Sequence, residues 1–255
     1  MSVRKSVLLT LCLLLVSGTA APVQAEEALI AVATNFSKPM KRLHASFEQN
    51  GAHRIRVTTG STGTLYAQIL NGAPFDLFLA ADQHRPTSLV DRNHAVDGSR
   101  FTYAVGQLVL WSPDPDRIHD DGAEILRIGD FRALAIANPA LAPYGSAARD
   151  SLTALGLTER LKGKIVMGQN VGQTLSLIAT SNAELGLVAR SQTLDETGRS
   201  IGSHWQVPHH LYRPIRQDAV LLSHGSSNAA ALAFLEYLKS DDARALIESM
   251  GYGPR

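Results

Sequence analysis

The stretch ALIAVATNFSKPMKRLHASFEQNGAHRIRVTTGSTGTLYAQILNGAPFDLFLA, residues 28–80, decides the fold class that we predict for this 255-residue chain. Three short segments have the apolar or alternating pattern of strands, at residues 28–33, 54–58 and 76–80. Between the first two, one apolar stripe recurs at helical spacing, formed by Phe36, Met40, Leu43 and Phe47. The alternation of strands and helices predicts a parallel sheet with helices on its faces.

The ends of the predicted helices carry their usual signals. Ser37 is expected to cap the first helix, Pro39 fits its first turn, and the Asn-Gly pair at residues 50–51 ends it. The second helix is expected to begin near Thr62 and to stop at the Asn-Gly pair at residues 71–72. These signals place two polar turns directly after two strands.

Residues 100–111 (RFTYAVGQLVLW) are too long for one strand of the same sheet, and we interpret them as a strand that crosses into a second lobe. That lobe repeats the alternation, with strands at 133–137, 164–167 and 185–188 and helices from about 146 and 171. The chain then returns near 208–214 to a strand at 218–222 and two closing helices at 229–238 and 242–250. We therefore predict an α/β protein of two parallel-sheet lobes around a cleft, with residues 26–105 and 216–255 in lobe 1 and 106–215 in lobe 2.

The first 25 residues have the pattern of a secretory signal peptide. Arg4 and Lys5 precede an apolar run at residues 7–16, and small residues lead to a cleavage site after Ala25. The run is shorter than the roughly 20 residues that span a bilayer. Cys12, the single cysteine, lies inside this run, so the mature chain has no disulfide and no thiolate chemistry. The pattern predicts export to the periplasm.

The charge balance excludes several classes of partner. The chain has 24 basic and 23 acidic residues, and removal of Arg4 and Lys5 leaves 22 against 23, a formal charge of −1. A near-neutral chain without basic runs argues against binding of nucleic acid or of an anionic membrane surface. Any bound anion must then be held locally, by dipoles or a few donors.

Four turns share one arrangement, in which a strand ends, a short polar or glycine-containing segment follows and a helix begins. They are residues 33–36 (ATNF), 60–63 (GSTG), 143–146 (PYGS) and 169–172 (QNVG). Ligands of open parallel sheets bind at the carboxyl ends of the strands, where helix N-termini offer free N–H groups. Side chains that can add donors are Thr34, Asn35, Ser61, Thr62 and Tyr144. Each turn alone is better explained as a plain helix cap, whereas for the set of four an anion site and plain caps are equally good explanations.

The segments VATNFSKPM, GSTGTLYAQILNGAPFDLFLAADQ, SRFTYAVGQLVLWS, IANPALAPYGSAA, QNVGQTLS and AELGLVARS resemble, in order and spacing, the periplasmic molybdate-binding proteins of ABC transporters. The resemblance covers the chain from about Leu29 to Tyr252. It implies the type II periplasmic binding protein fold, capture of molybdate and of tungstate, and delivery to an ABC transporter permease in the inner membrane. It implies a monomer with no cofactor, in which molybdenum is bound as the oxyanion and not coordinated directly by the protein.

The resemblance also implies which residues hold the ligand. They are Thr34 and Asn35, Ser61 and Thr62, Tyr144, and Val171 through its backbone N–H. One position departs from the family's pattern, because many members have a tyrosine where this chain has Ala189. We expect Tyr144, placed at the mouth of the cleft, to supply the hydroxyl that Ala189 lacks.

The four turns contain no Asp or Glu, which disfavours phosphate, since phosphate keeps a proton near neutrality that needs an acceptor. Molybdate and sulfate are both acceptor-only dianions, so sulfate stays open as an alternative, and molybdate rests on the resemblance. A secreted serine hydrolase would need a triad such as Ser61, His84 and Asp82, whose spacing nothing supports. His204, His209 and His210 lack the spacing of metal ligands. We therefore predict a binding protein and not an enzyme.

Overall fold

The computed structural model describes residues 25–119 and 121–254, so most of the predicted signal peptide lies outside the described residues. The strands are β1 (Glu27–Ala33), β2 (Arg54–Gly60), β3 (Leu77–Leu79), β4 (Phe101–Gly106), β5 (Leu108–Ser112), β6 (Leu134–Ala137), β7 (Ile165–Gly168), β8 (Leu185–Ala189), β9 (Ser203–Gln206) and β10 (Ile215–Leu221). The helices are α1 (Ser37–Asn50), α2 (Thr62–Leu70), α3 (His84–Asp91), α4 (Gly122–Ile128), α5 (Pro143–Ala154), α6 (Thr158–Leu161), α7 (Val171–Ala179), α8 (Ala229–Lys239) and α9 (Asp241–Ser249). Among the described residues, no helix is both long and apolar enough to cross a membrane.

The strands form two five-stranded sheets, in the orders β2-β1-β3-β10-β4 and β7-β6-β8-β5-β9. Each sheet is the centre of one lobe, which we call the first and the second lobe. The predicted parallel arrangement is confirmed for β1, β2 and β3 and for β6, β7 and β8, but both sheets also contain antiparallel strands and are therefore mixed. In the first, β10 runs antiparallel to β3 and β4, and in the second, β5 runs antiparallel to β8 and β9. The antiparallel pairs involve the strands that carry the chain between the lobes.

Residues 100–111 cross between the lobes, as the sequence indicated, but they form two strands instead of one. The break is at Gln107, with β4 in the first sheet and β5 in the second. The chain returns through β10, which pairs with β4. Two adjacent crossing segments therefore connect the lobes. The lobe limits at 105/106 and 215/216 stay a prediction.

Each lobe has its own apolar core. The predicted stripe of α1 lies buried against the first sheet, with Phe36 and Leu43 at 0 % exposure, Met40 at 1 % and Phe47 at 8 %. Burial of a large apolar side chain contributes about 1.5–3 kcal/mol. This stripe fixes α1 on the sheet, and with it the turn at residues 34–36 that precedes the helix.

Several local predictions need correction. Ser37 does not cap α1 but is its first residue, after a 3-10 turn at Thr34–Phe36, and its hydroxyl donates to the Thr34 carbonyl (2.9 Å). Helix α5 begins at Pro143, three residues before the expected start, because proline fits the first position of a helix. Helices α3 and α4 were not predicted.

Candidate functional site

A small cavity lies where the two lobes meet at the carboxyl ends of their strands. All six residues predicted for the site line it: Thr34, Asn35, Ser61 and Thr62 from the first lobe, and Tyr144 and Val171 from the second. The structure thus brings together residues more than 100 positions apart in the chain. A wider cleft adjoins the cavity and shares Ala81 and Pro143 with it.

Helix N-termini from both lobes border the cavity. Thr62 is the first residue of α2, Val171 is the first residue of α7, and Tyr144 is the second residue of α5. The first backbone N–H groups of a helix have no partner within it, and the helix dipole places a partial positive charge there. Among the described residues, none that lines the cavity has a charged side chain. The cavity therefore offers neutral donors to an anion.

The hydroxyls of Thr62 and Ser61 each accept a hydrogen bond from a backbone N–H group. Ala81 N–H donates to Thr62 Oγ1 (3.1 Å), and Thr64 N–H donates to Ser61 Oγ (3.1 Å). Ser61 also shares a 2.6 Å hydrogen bond with the Thr64 hydroxyl. Because a bound N–H uses an acceptor position and not the proton of a hydroxyl, the Thr62 hydroxyl proton is available to an acceptor in the cavity, and the Ser61 proton is available when Thr64 is the donor in the bond that they share. Ser61 is thus both the cap of α2, as the alternative interpretation held, and a cavity residue.

From the sequence we expect Tyr144 at the mouth of the cleft, and this expectation is wrong. The residue is 2 % exposed and lies within the core of the second lobe. Its hydroxyl accepts a hydrogen bond from Gln217 Nε2 (3.2 Å). Burial raises the pKa of the Tyr144 hydroxyl well above its ordinary value, so this group keeps its proton at neutral pH. The ring packs as a core side chain while the residue lines the cavity.

The side-chain amide of Asn35, which the sequence suggested as a ligand donor, has hydrogen-bond partners inside the protein. Its amide nitrogen donates to Gln217 Oε1 (2.8 Å) and to the Tyr252 hydroxyl (3.0 Å). Both amide protons are therefore used inside the protein. What Asn35 can offer to the cavity is its backbone in the turn at residues 34–36.

Sequence reasoning missed the buried polar network behind the cavity, which includes Gln217, Tyr103, Tyr252 and Ser191. Gln217 and Tyr103 are fully buried, and Tyr252 is 4 % exposed. The available signal was Gln217 itself, an uncharged polar residue in a strand that is otherwise mostly apolar (IRQDAVL). Ala189 is fully buried at the end of β8, and it is not among the residues that line the cavity. The idea that Tyr144 replaces a tyrosine at position 189 stays a prediction.

The lobes contact each other around the cavity. Gly63 N–H donates to the Leu141 carbonyl across the cleft (2.9 Å), and Arg85 donates to the Ala140 carbonyl (3.0 Å). A Cβ on Gly63 would lie 3.0 Å from the Leu141 carbonyl oxygen, so this close approach favours glycine. These contacts enclose the cavity between the lobes.

The residues of the alternative hydrolase triad have other partners. Asp82 pairs with Arg85, and the Ser61 hydroxyl is bonded to Thr64. His84 lines the wider cleft, whereas Ser61 lines the small cavity. In residues 25–119 and 121–254, no group of three or more His, Cys, Asp or Glu side chains is placed to hold a metal ion. The polar cavity is the site that the fold builds.

Two α/β lobes joined by adjacent crossing strands, with a small polar cavity enclosed between them, define the class of two-lobed solute-binding proteins. The chain matches the family model "Bacterial extracellular solute-binding protein" over residues 28–253. It belongs to this family.

Individual named proteins are similar to this chain over most of its length. The chain is 50 % identical to the molybdate-binding protein ModA of Azotobacter vinelandii over 230 residues, which cover 90 % of this chain and 91 % of that one. It is 47 % identical to ModA of Rhodobacter capsulatus over 240 residues, covering 94 % and 93 %. The solved structure of an Azotobacter vinelandii periplasmic molybdate-binding protein superposes with a TM-score of 0.86 at 39 % identity, covering 89 % of this chain and 99 % of that one.

Proposed function

We propose that this chain is a periplasmic binding protein that captures molybdate, and tungstate as well, and delivers it to the permease of an ABC importer. The observation that carries the proposal is the enclosed cavity between the lobes, which is lined by helix N-termini and hydroxyls and by no charged side chain of the described residues. Such a cavity offers N–H and O–H donors and no carboxylate, which suits a fully deprotonated oxyanion. The relatives are named for molybdate binding, and this supports molybdate over sulfate.

In this proposal, residues 1–25 are the cleaved signal peptide, and the mature chain works as a monomer without cofactor or catalysis. The ligand is held by the hydroxyls of Ser61, Thr62, Thr34 and Tyr144 and by backbone N–H groups that include those of Asn35 and Val171. Lobe 1 comprises residues 26–105 and 216–255, and lobe 2 comprises residues 106–215. The contacts of Gly63 and Arg85 with the second lobe then belong to the closed, ligand-holding arrangement.

A thermal-shift experiment on the purified mature chain tests the proposal. A ligand that binds only the folded state at about 100 times its Kd adds about 2.7 kcal/mol. For a chain of this size the midpoint should rise by about 5–10 °C. We expect this rise with molybdate and with tungstate. An absence of any rise with either anion at millimolar concentration would refute the proposed function.

A further inference from the structure

The side chain of Gln217 joins the two halves of the cavity from behind. It lies on β10 in the first sheet and is 0 % exposed. Its Oε1 accepts a hydrogen bond from the Asn35 amide of the first lobe (2.8 Å), and its Nε2 donates to the Tyr144 hydroxyl of the second lobe (3.2 Å). Each end of this one amide therefore contacts a residue that lines the cavity.

Its neighbours fix which end of the Gln217 amide faces which lobe. The Tyr252 hydroxyl donates to the Asn35 carbonyl (2.9 Å), so it accepts from the Asn35 amide nitrogen (3.0 Å). The second proton of that nitrogen points to Gln217, whose facing atom must be the acceptor Oε1. Gln217 Nε2 is thereby turned toward Tyr144, and the Tyr144 oxygen must accept from it.

The proton of the Tyr144 hydroxyl is then directed away from Gln217. A tyrosine hydroxyl has a single proton, and Gln217 Nε2 has no lone pair to receive it. The backbone leaves little room for another arrangement, because Gly106, the last residue of β4, packs against the pair. A Cβ on Gly106 would lie 2.6 Å from Gln217 Nε2 and inside contact distance of the Tyr144 hydroxyl.

We propose that Gln217 is a positioning residue of the oxyanion site, which obliges Tyr144 to act as a donor toward the cavity and so makes this position selective for ligands that only accept hydrogen bonds. The inference rests on the proposed function and deepens it. Gln217 acts through Tyr144 and does not itself contact the ligand. A protonated oxyanion such as hydrogen phosphate would need an acceptor, and Gln217 keeps Tyr144 from serving as one.

The test compares Gln217→Glu with Gln217→Met, each in the parent chain and in the Tyr144→Phe background, by calorimetric titration with molybdate. The titrations are made at about pH 9.5, above the pKa of roughly 8–9 that a buried glutamate can reach, so that the carboxylate is ionised and offers Tyr144 an acceptor. The hydroxyl proton should then turn from the ligand to the carboxylate. We expect Gln217→Glu to weaken molybdate binding about 100-fold in the parent chain, combining the redirected proton with charge repulsion. Gln217→Met removes both hydrogen bonds of the amide without offering Tyr144 an acceptor, so its loss of molybdate affinity should be at least about tenfold smaller than that of Gln217→Glu.

The Tyr144→Phe background isolates the role of the hydroxyl. There the loss caused by Gln217→Glu should shrink to about 10-fold, because repulsion remains but no proton can be redirected. Equal losses in both backgrounds would refute the positioning role while leaving molybdate binding intact. A loss in Gln217→Met as large as in Gln217→Glu would also refute it, and this comparison decides the question if the glutamate variant does not fold. Failure of the unmodified chain to bind molybdate would overturn the proposed function, and the positioning role with it. The thermal midpoint of each variant without ligand serves as the folding control.

Discussion

The two lobes contribute to the cavity in different ways. The first lobe offers hydroxyls of Ser61 and Thr62, each held by a backbone N–H of the same lobe. The second lobe offers the start of α7 at Val171 and the phenol of Tyr144, whose hydroxyl is held by Gln217 from the first sheet. The hydroxyls on the first-lobe half of the cavity are therefore held by hydrogen bonds within that lobe, whereas the Tyr144 hydroxyl on the second-lobe half is held by the other lobe. In our proposal, Gln217 therefore influences the ligand selectivity of the cavity although it does not line it.

We expect the largest loss of molybdate affinity from a negative charge placed on the first-lobe half of the cavity. Ser61→Asp keeps a good N-cap for α2, so the chain should fold. Two like unit charges about 4 Å apart repel by about 4 kcal/mol near a protein surface, and a dianion roughly doubles this. Molybdate binding should therefore weaken by at least about 1000-fold, measured by calorimetry.

Ser61→Asn is the matched control for that variant, because asparagine also caps helices and carries no charge. We expect it to weaken molybdate binding by no more than about 150-fold, the upper cost of one hydrogen bond to a charged partner. If the aspartate and asparagine variants bound equally well, the ligand would not lie beside Ser61.

We expect a smaller loss of molybdate affinity from Tyr144→Phe on the second-lobe half of the cavity. This variant keeps the ring and removes one hydrogen-bond donor. A hydrogen bond to a charged group contributes about 1.5–3 kcal/mol, so molybdate binding should weaken about 10- to 150-fold. Because Tyr144 is buried, the variant also leaves Gln217 Nε2 without its partner and should lower the free energy of unfolding by about 1–3 kcal/mol. Calorimetry and urea denaturation measure the two effects separately. Parental affinity in this variant would remove Tyr144 from the site.

The smallest effect concerns stability at alkaline pH. Burial raises the pKa values of Tyr103 and Tyr144 well above their ordinary value of 10. Above about pH 10 these tyrosines ionise in the unfolded chain but stay protonated in the folded one, so the unfolding free energy falls as pH rises. Each such tyrosine contributes a slope of at most about 1.4 kcal/mol per pH unit. Urea denaturation between about pH 9 and about pH 11 should show a shallower fall in Tyr144→Phe than in the parent. Identical slopes would mean that Tyr144 ionises in the folded chain as it does in the unfolded one.

The spacing of apolar residues along the sequence predicted much of the fold, because it follows which side chains are buried. The stripe of α1 and the segments at 28–33 and 54–58 were found within a few residues of β1, α1 and β2. The mixed direction of the sheets was not found, because an apolar segment does not encode whether its neighbour runs parallel or antiparallel. Helix α3 was not predicted, because two of its eight residues, Pro86 and Leu89, are buried, and two buried residues do not form an apolar stripe.

The candidate site was predicted in its members but not in its internal contacts. Turn chemistry and the family resemblance indicated Asn35 and Tyr144, and the structure places both at the cavity. The partners of the Asn35 amide, Gln217 and Tyr252, lie 182 and 217 residues away along the chain. Such long-range partners leave no local pattern, so the sequence could not show that this amide is already occupied.

The central claim is that a cavity lined by helix N-termini and hydroxyls, with no carboxylate among its lining residues, selects a fully deprotonated tetrahedral dianion. Calorimetric titration of the mature chain with molybdate, sulfate and phosphate at neutral pH tests it most directly. We predict tight one-to-one binding of molybdate, weaker binding of sulfate, and no binding of phosphate at concentrations that saturate the site with molybdate. Binding of phosphate with an affinity within tenfold of that of molybdate would contradict the account, because a selective site for a protonated oxyanion needs a strong acceptor such as a carboxylate, and none is among the residues that line this cavity.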